Sequence, residues 1–164
     1  MLKLIVVALL VLAVLVVVAV LKLKSAIPVK TGASYLRKPL LTAAERSFLG
    51  VLEPMLPSEV RVFAKVRLAD IFGVVKGLER GARQGAQNRI NQKHVDFLVV
   101  RTSDLVPLAG IELDDSSHDE EDRQQRDAFV DEVFKSAKLP LLHVPAKKSY
   151  APAEIKSKVE ALLS

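Results

Sequence analysis

The sequence predicts an α/β domain preceded by one N-terminal transmembrane helix. Leucine, valine, isoleucine and alanine fill residues 4–21 without interruption. Beyond residue 38, patterns typical of helices and strands alternate in the order α-β-β-β-α-β-α. The chain has 164 residues and no cysteine, so it can hold one modest domain beside the apolar run and cannot form disulfides or thiolate metal sites.

Residues 1–24 are predicted to form a membrane anchor. The eighteen apolar residues span most of a ~30 Å hydrocarbon core in helical form, with Lys3 and Lys22 at the two ends. A cleaved signal peptide would have a shorter apolar region, of about 7–15 residues, with its positive charge in front. Here the stronger basic cluster follows the run, so the positive-inside rule predicts a single-pass protein of the inner (cytoplasmic) membrane whose C-terminal domain is cytoplasmic.

The net charge of +5 comes from the N-terminal part of the chain. Residues 1–38 contain six basic and no acidic residues, which leaves 18 basic against 19 acidic residues in the remainder. The basic pI therefore does not by itself indicate DNA binding. Residues 25–38 are predicted to be a basic linker near anionic headgroups, and residues 39–164 to be the folded domain.

The first helix of the domain begins with a capping box, Thr42 to Glu45, followed by an apolar stripe that proline ends at residue 54. Residues 59–68 are rich in valine and partly alternate, which predicts a strand. Residues 73–93 contain basic residues and four glycines spaced four positions apart, from Gly73 to Gly85, and each glycine weakens a helix by about 1 kcal/mol relative to alanine. This stretch is expected to be a basic loop or a frayed helix.

The second half of the chain contains a predicted hairpin and two predicted helices. The apolar runs 94–100 and 106–113 flank a turn and predict two antiparallel strands. A second capping box begins at Ser117 and opens a helix with an apolar face over residues 129–137. Residues 141–144 predict a short buried strand, and Pro152 begins a last amphipathic helix.

Three carboxylates interrupt the two strands of this hairpin. Glu112 and Asp114 lie two positions apart and therefore share a face, whereas Asp96 breaks the preceding apolar strand. If the strands pair, Asp96 and Glu112 converge, and two carboxylates about 4 Å apart repel by roughly 4 kcal/mol at an effective dielectric of about 20. Either one carboxylate is protonated or a cation bridges them, and oxygen ligands of this kind suit Mg²⁺ or Mn²⁺.

These residues resemble a known nuclease family. Asp96 within NQKHVDFLVV, the segment ELDDSSHDEEDRQQRD and the helix start LTAAERSF resemble the very-short-patch-repair-like branch of the PD-(D/E)XK nuclease superfamily, and most closely the bacterial domain of unknown function numbered 2726. The resemblance covers about residues 38–163. It implies a restriction-endonuclease-like fold, an αβββαβ core with a mixed central sheet, which agrees with the order of elements predicted above.

The resemblance also implies roles for individual residues. Asp96 and Glu112 would be metal ligands, and Asp114 stands where the family usually has a lysine that positions water or stabilises phosphorane charge. Asp114 either extends the metal site or indicates weakened catalysis. His118 lies where the related branch has a histidine and would act as general acid or base, or would simply begin a helix. Glu45 corresponds to an acid that contributes to some nuclease sites, although its capping box explains it without chemistry.

Two functions follow as expectations. The first is a membrane-anchored, Mg²⁺-dependent or Mn²⁺-dependent endonuclease acting on nucleic acid, with Asp96, Glu112 and Asp114 as ligands. The second is a catalytically inactive member of the fold that acts as a membrane-tethered scaffold or nucleic-acid-binding module. In either case the phosphate backbone would contact basic residues of the glycine-containing stretch. These are Lys76, Arg80, Arg83, Arg89 and Lys93.

Overall fold

The computed structural model describes the backbone of residues 2–25, 35–114 and 120–163, and the side chains of 6, 7, 9–20, 35–114 and 128–163. The chain divides into two compact units, Met1–Lys38 and Pro39–Ser164. The helices are α1 (Leu2–Ser25), α2 (Ala43–Leu52), α3 (Leu68–Ile71), α4 (Arg80–Asn91), α5 (Glu120–Ser136) and α6 (Pro152–Leu163). The strands are β1 (Val60–Arg67), β2 (His94–Arg101), β3 (Pro107–Asp114) and β4 (Leu141–Pro145).

Helix α1 contains the apolar run. Between Val6 and Val20, every large apolar side chain that the structure describes is 45–63% exposed. Counting only described residues, no helix is both long and apolar enough to cross a membrane. The helix itself is thus confirmed over the predicted segment, whereas the transmembrane element of the fold prediction is not confirmed and stays a prediction from the sequence.

The domain is a mixed α/β fold built on a four-stranded sheet in the order β1-β2-β3-β4. β1 pairs antiparallel with β2, and β2 with β3, which confirms the predicted hairpin. β4 instead runs parallel to β3, because the chain crosses over through α5 before it returns to the sheet edge. The sheet is therefore mixed, as predicted.

Helices cover both faces of this sheet because side chains of successive strand residues point to opposite sides. Phe97 and Val99 of β2 pack into one core cluster with residues of α2 and α6. Leu98 and Val100 pack into a second cluster with α3, α4 and α5, including Phe134. Every apolar side chain of β2 is thus buried, which makes β2 the central strand of the core.

Helix α4 corrects the expectation for residues 73–93. The segment forms a regular helix from Arg80 to Asn91 despite two internal glycines. Ile90 at its C-terminal end is 5% exposed within the second core cluster, and the Arg89 guanidinium lies 3.9 Å from the centroid of the Phe129 ring. These contacts with α5 and the sheet stabilise the last turn, so tertiary packing outweighs the low helix propensity of glycine.

Candidate active site around Lys65

Strands β2 and β3 bring Asp96 and Glu112 to one cleft, as predicted. Phe97 pairs with Ile111 in antiparallel register. Asp96 precedes Phe97 and Glu112 follows Ile111, so the two acids are neighbours on the opposite face of the sheet. The cleft has a volume of about 240 Å³. Its lining residues are Lys65, Gln92, Lys93, His94, Asp96, Glu112 and Val130.

The Lys65 ammonium bridges two carboxylates at this cleft. Lys65 Nζ donates hydrogen bonds to Glu45 Oε1 at 2.5 Å and to Asp96 Oδ1 at 2.7 Å. The side chains of Glu45 and Asp96 are only 10% and 15% exposed, so both carboxylates are largely shielded from water. Burial lowers the pKa of Lys65, but the hydrogen bonds to Asp96 and Glu45 outweigh it and raise the pKa above its ordinary value. Lys65 is therefore a cation held at two acids.

The backbone at Lys65 is left-handed, with φ of +56°. A non-glycine residue in this region is strained by about 1–3 kcal/mol and is maintained only when its surroundings fix it. Lys65 lies between Ala64, which packs against the first core cluster, and Val66, which packs against the second. The strained residue thus marks the point where β1 passes from one core cluster to the other, and there its side chain reaches carboxylates on both α2 and β2.

Asp96 forms a hydrogen bond within the β2–β3 hairpin in addition to its ion pair with Lys65. Its Oδ2 accepts a hydrogen bond from the backbone N–H of Leu113 at 2.9 Å, while Oδ1 accepts from Lys65. One carboxylate therefore joins β1, β2 and β3. An acid in an apolar strand is stabilised here by a charge-assisted hydrogen bond to a cation and by a backbone donor.

Glu45 forms the predicted capping box and also an ion pair with Lys65. Its Oε2 accepts from the backbone N–H of Thr42 at 2.8 Å, and its own N–H donates to the Thr42 hydroxyl, which confirms the capping box. The other oxygen accepts from Lys65. Glu45 is the one buried charged side chain in the described part of the chain, and the cap fixes the direction in which its other oxygen points towards Lys65.

Asp114 belongs to a different cluster. Its Oδ1 lies 2.9 Å from His143 Nδ1, and the second ring nitrogen of His143 lies 2.8 Å from Asp131 Oδ1. Burial lowers the pKa of His143, and its hydrogen bonds to Asp114 and Asp131 raise it to a net value above the ordinary one. This clamp, formed by Asp114, His143 and Asp131, joins β3, β4 and α5. The Lys65 cleft is not lined by Asp114.

The remaining predicted residues are spread over the described and undescribed parts of the chain. His118 lies outside the described residues. Lys76, Arg80 and Arg83 are exposed near the start of α4, and Lys93 lines the cleft. Arg89 is engaged by the Phe129 ring, so it already has an intramolecular partner.

A metal site formed by protein side chains alone would need three or more ligands of suitable spacing. Within residues 35–114 and the described side chains beyond 128, no three histidine, aspartate or glutamate side chains are arranged to hold a metal ion. Asp96 and Glu112 nevertheless line one cleft, and their carboxylate oxygens are ligands of the kind that bind Mg²⁺ together with water. The two carboxylates therefore suit Mg²⁺ bound by few protein ligands. Lys65 lies between Asp96 and Glu45.

Sequence reasoning missed Lys65. In the alternating pattern of β1, residues 60, 62, 64 and 66 are apolar and Lys65 reads as a solvated outward residue. No local signal reports its left-handed backbone. His143 did carry a signal, because it interrupts the apolar strand of residues 141–144, but its partner Asp131 lies on a helix whose position relative to β4 the sequence does not reveal.

Comparisons with known proteins identify the family of the domain. A family model described as a protein of unknown function, DUF2726, matches residues 37–162. No curated protein and no solved structure matches the chain.

Proposed function

The chain belongs to the DUF2726 family, and from this membership and the geometry of the Lys65 cleft we propose that its domain is a metal-dependent, nuclease-like phosphodiesterase. The observation that carries the proposal is the ammonium of Lys65 beside Asp96, in a cleft that Glu112 also lines. Two acids and a lysine at one cleft of an αβββαβ core are the groups that the resemblance to PD-(D/E)XK nucleases calls for. The restriction-endonuclease-like fold is part of this proposal.

Lys65 takes the part of the lysine that is absent at position 114. In the family pattern this lysine follows the glutamate by two residues, where the present chain has Asp114. Lys65 reaches Asp96 from β1 instead, and its ammonium would stabilise negative charge that develops on a phosphoryl group. The substitution of Asp114 for lysine is thereby compensated from another strand, which supports an active site over a weakened one.

Asp96 and Glu112 would hold the metal. Both present carboxylate oxygens to the cleft, and Mg²⁺ is commonly bound by one or two carboxylates with water and substrate phosphate as further ligands. When bound, Mg²⁺ activates water and neutralises charge on the phosphodiester. Asp114 serves the clamp with His143 in this proposal, and it orients the end of β3 rather than binding the metal.

A nucleic-acid backbone is the substrate that the surroundings favour. Gln92, Lys93 and His94 line the cleft directly after the basic helix α4. Exposed Arg80 and Arg83 extend the positive charge away from the cleft, where they would contact phosphates. A phosphodiester entering the cleft would thus lie next to further cationic side chains.

The proposal includes attachment to the cytoplasmic membrane through α1. The described large side chains of residues 6–20 are apolar and exposed, and a helix that is apolar on all sides requires an apolar environment. The basic linker of residues 25–38 would lie at the anionic surface of the inner leaflet.

Cleavage assays on the full-length chain in detergent micelles test the proposal. Single-stranded and double-stranded DNA and RNA are incubated with Mg²⁺ or Mn²⁺, and products are resolved on gels. We expect Asp96→Asn and Glu112→Gln to lower cleavage by at least about 100-fold, the scale on which such electrostatic groups act. Asp104→Asn is the matched control, because Asp104 is a 44% exposed aspartate paired with Arg101 in the turn of the same hairpin.

Two outcomes would contradict the proposal. Cleavage that is equal in both variants and the wild-type chain would exclude Asp96 and Glu112 as the site. An absence of cleavage, together with no change in melting temperature on adding metal, would favour the non-catalytic scaffold. That alternative is supported by the ion pairs of Lys65, since its ammonium already binds Glu45 and Asp96.

A further inference from the structure

Lys65 occupies the position that a metal ion would need. Its ammonium lies within hydrogen-bond distance of one oxygen of Glu45 and one oxygen of Asp96. A compact cation with three donors can hydrogen-bond both carboxylates at once, and it compensates one of their two negative charges. A residue of the chain itself therefore already holds the Asp96 carboxylate.

The Lys65 ammonium and a bound divalent ion would meet at one oxygen atom of Asp96. Asp96 Oδ2 accepts from the backbone N–H of Leu113, and Oδ1 accepts from Lys65. A divalent ion that binds Asp96 through Oδ1 would meet the ammonium at this oxygen. Because like charges at such a separation repel, the ammonium and the metal would compete for Oδ1.

The Lys65 side chain has room to move away. The lysine stem is flexible, its side chain is 30% exposed, and it borders the cleft of about 240 Å³. The left-handed backbone fixes where the stem begins, while the four-carbon stem leaves the ammonium free to turn into the cleft. Loss of the Asp96 contact would carry the ammonium towards the space that a substrate phosphate would enter.

We propose that Lys65 competes with the divalent cation for Asp96, and that metal binding displaces its ammonium into the cleft. This rests on the proposed function, because it assumes a metal at Asp96 and Glu112. Lys65 thereby sets the metal affinity of the site. When the metal displaces the Lys65 ammonium, the ammonium moves towards the substrate phosphate. Lys65 therefore contacts the substrate after the metal has bound.

Metal affinity of variants tests the competition without measuring catalysis. Mn²⁺ is titrated into the full-length chain in detergent micelles, and free Mn²⁺ is followed by its electron paramagnetic resonance signal. We expect Lys65→Met, which keeps the length of the stem and removes the charge, to tighten Mn²⁺ binding by about tenfold or more, equivalent to about 1.4 kcal/mol. Lys93→Met is the matched control, because it removes the same charge from the lining of the same cleft.

The control separates competition at Asp96 from a general change in the field of the cleft. Tightening by less than about threefold in Lys93→Met, with tenfold in Lys65→Met, supports direct competition, since only the latter removes a cation from the Asp96 oxygen. Equal affinities in Lys65→Met and Lys93→Met overturn it. If Asp96→Asn and Glu112→Gln bind Mn²⁺ as tightly as the wild-type chain does, that result contradicts the metal site of the proposed function instead.

A second measurement uses the wild-type chain and so does not depend on how the variants fold. Lysine side chains are labelled by reductive methylation with and without Mg²⁺, and the rate at each site is read by mass spectrometry. We expect Mg²⁺ to raise the labelling rate of Lys65, because its amine leaves the two carboxylates, and to leave that of Lys93 nearly unchanged. An equal Lys65 rate under both conditions overturns the proposal.

Discussion

Lys65 shows how one residue can define a site through its backbone as well as its side chain. The left-handed conformation at φ +56° is costly for lysine, and the structure maintains it beside two ion pairs that are largely shielded from water. Strain of this kind is concentrated at functional positions in proteins. Leu105 and Lys138 have the same left-handed backbone, so the conformation supports a function at Lys65 only together with its ion pairs.

His143 is the second residue with an unusual electrostatic environment. Its ring lies between carboxylates of β3 and α5, and Lys135 of α5 lines the same surface pocket. Because the imidazolium is stabilised in the folded state, its folded-state pKa exceeds the value of about 6.5 expected in the unfolded chain. The clamp thus stabilises the fold when His143 is charged.

The clamp predicts a pH-dependent stability. Its contribution is fully present below about pH 6.5 and is lost as the pH rises through the raised folded-state pKa. We expect it to be less than about 1 kcal/mol, because the His143 side chain is 35% exposed and both acids are half exposed. Melting temperatures measured from pH 5.5 to 9 in the presence of a chelator would fall less with pH in His143→Gln than in the wild-type chain.

A matched control is His94→Gln, which changes a histidine at the start of β2 and leaves the clamp in place. Its melting temperatures should follow the pH dependence of the wild-type chain. A His143→Gln variant with the same pH dependence as wild type would show that the clamp carries no charge-dependent stability.

Among the elements, helix α5 packs unusually close to β3, and this packing depends on Gly110. A Cβ added at Gly110 would lie 2.5 Å and 2.7 Å from two ring atoms of Phe134 and 2.9 Å from Leu141 Cδ1. Phe134 is 1% exposed, so its ring has little space into which it can move. Only glycine lets the helix lie this near the strand. Since Val130 of the same helix borders the Lys65 cleft, Gly110 also sets the position of one cleft wall.

This contact predicts the effect of a single methyl group. Gly110→Ala should lower the free energy of unfolding by about 1–3 kcal/mol, the usual cost of overpacking a core. Gly81→Ala is the matched control, because its added Cβ meets nothing within 4 Å and alanine favours α4. The control should raise the free energy of unfolding by about 0.4–1 kcal/mol. Urea denaturation followed by circular dichroism measures both, and equal changes would contradict the packing explanation.

At the scale of the whole molecule, the two units differ in the surface that they present. The domain of residues 39–164 buries its apolar residues in two clusters of its own. Helix α1 instead exposes large apolar side chains over residues 6–20. Each Leu or Val contributes roughly −0.3 to −0.6 kcal/mol to membrane insertion.

The proposed anchor predicts where the protein is found after cell lysis. The full-length chain should stay with the membrane fraction through extraction with high salt and with alkaline carbonate, because apolar insertion does not depend on charge. A chain lacking residues 2–25 should appear in the soluble fraction. Lys22→Gln with Lys24→Gln is the control for electrostatic attachment, and it should remain in the membrane. Release of the full-length chain by salt or alkali would exclude a membrane-spanning helix.

The sequence by itself determined most elements of the domain, except α3 and α4, and the meeting of Asp96 with Glu112. Periodicity and the capping box at Thr42 are local, because they depend on residues that lie within a few positions of one another. The hairpin follows from two apolar runs around a short turn, and pairing then brings the two acids to one face. A match to DUF2726 over residues 37–162 agrees with the family that the same motifs indicated.

Only the tertiary structure decided what surrounds those acids. Lys65 meets Glu45 across 20 positions and Asp96 across 31, and His143 meets Asp114 across 29. Such contacts depend on the left-handed turn of β1, the parallel return of β4 and the depth at which α5 packs on Gly110. None of these is encoded in a local pattern, because each is fixed by the joint packing of segments that are distant in the chain. The cation beside Asp96 is thus a lysine that the fold supplies from another strand.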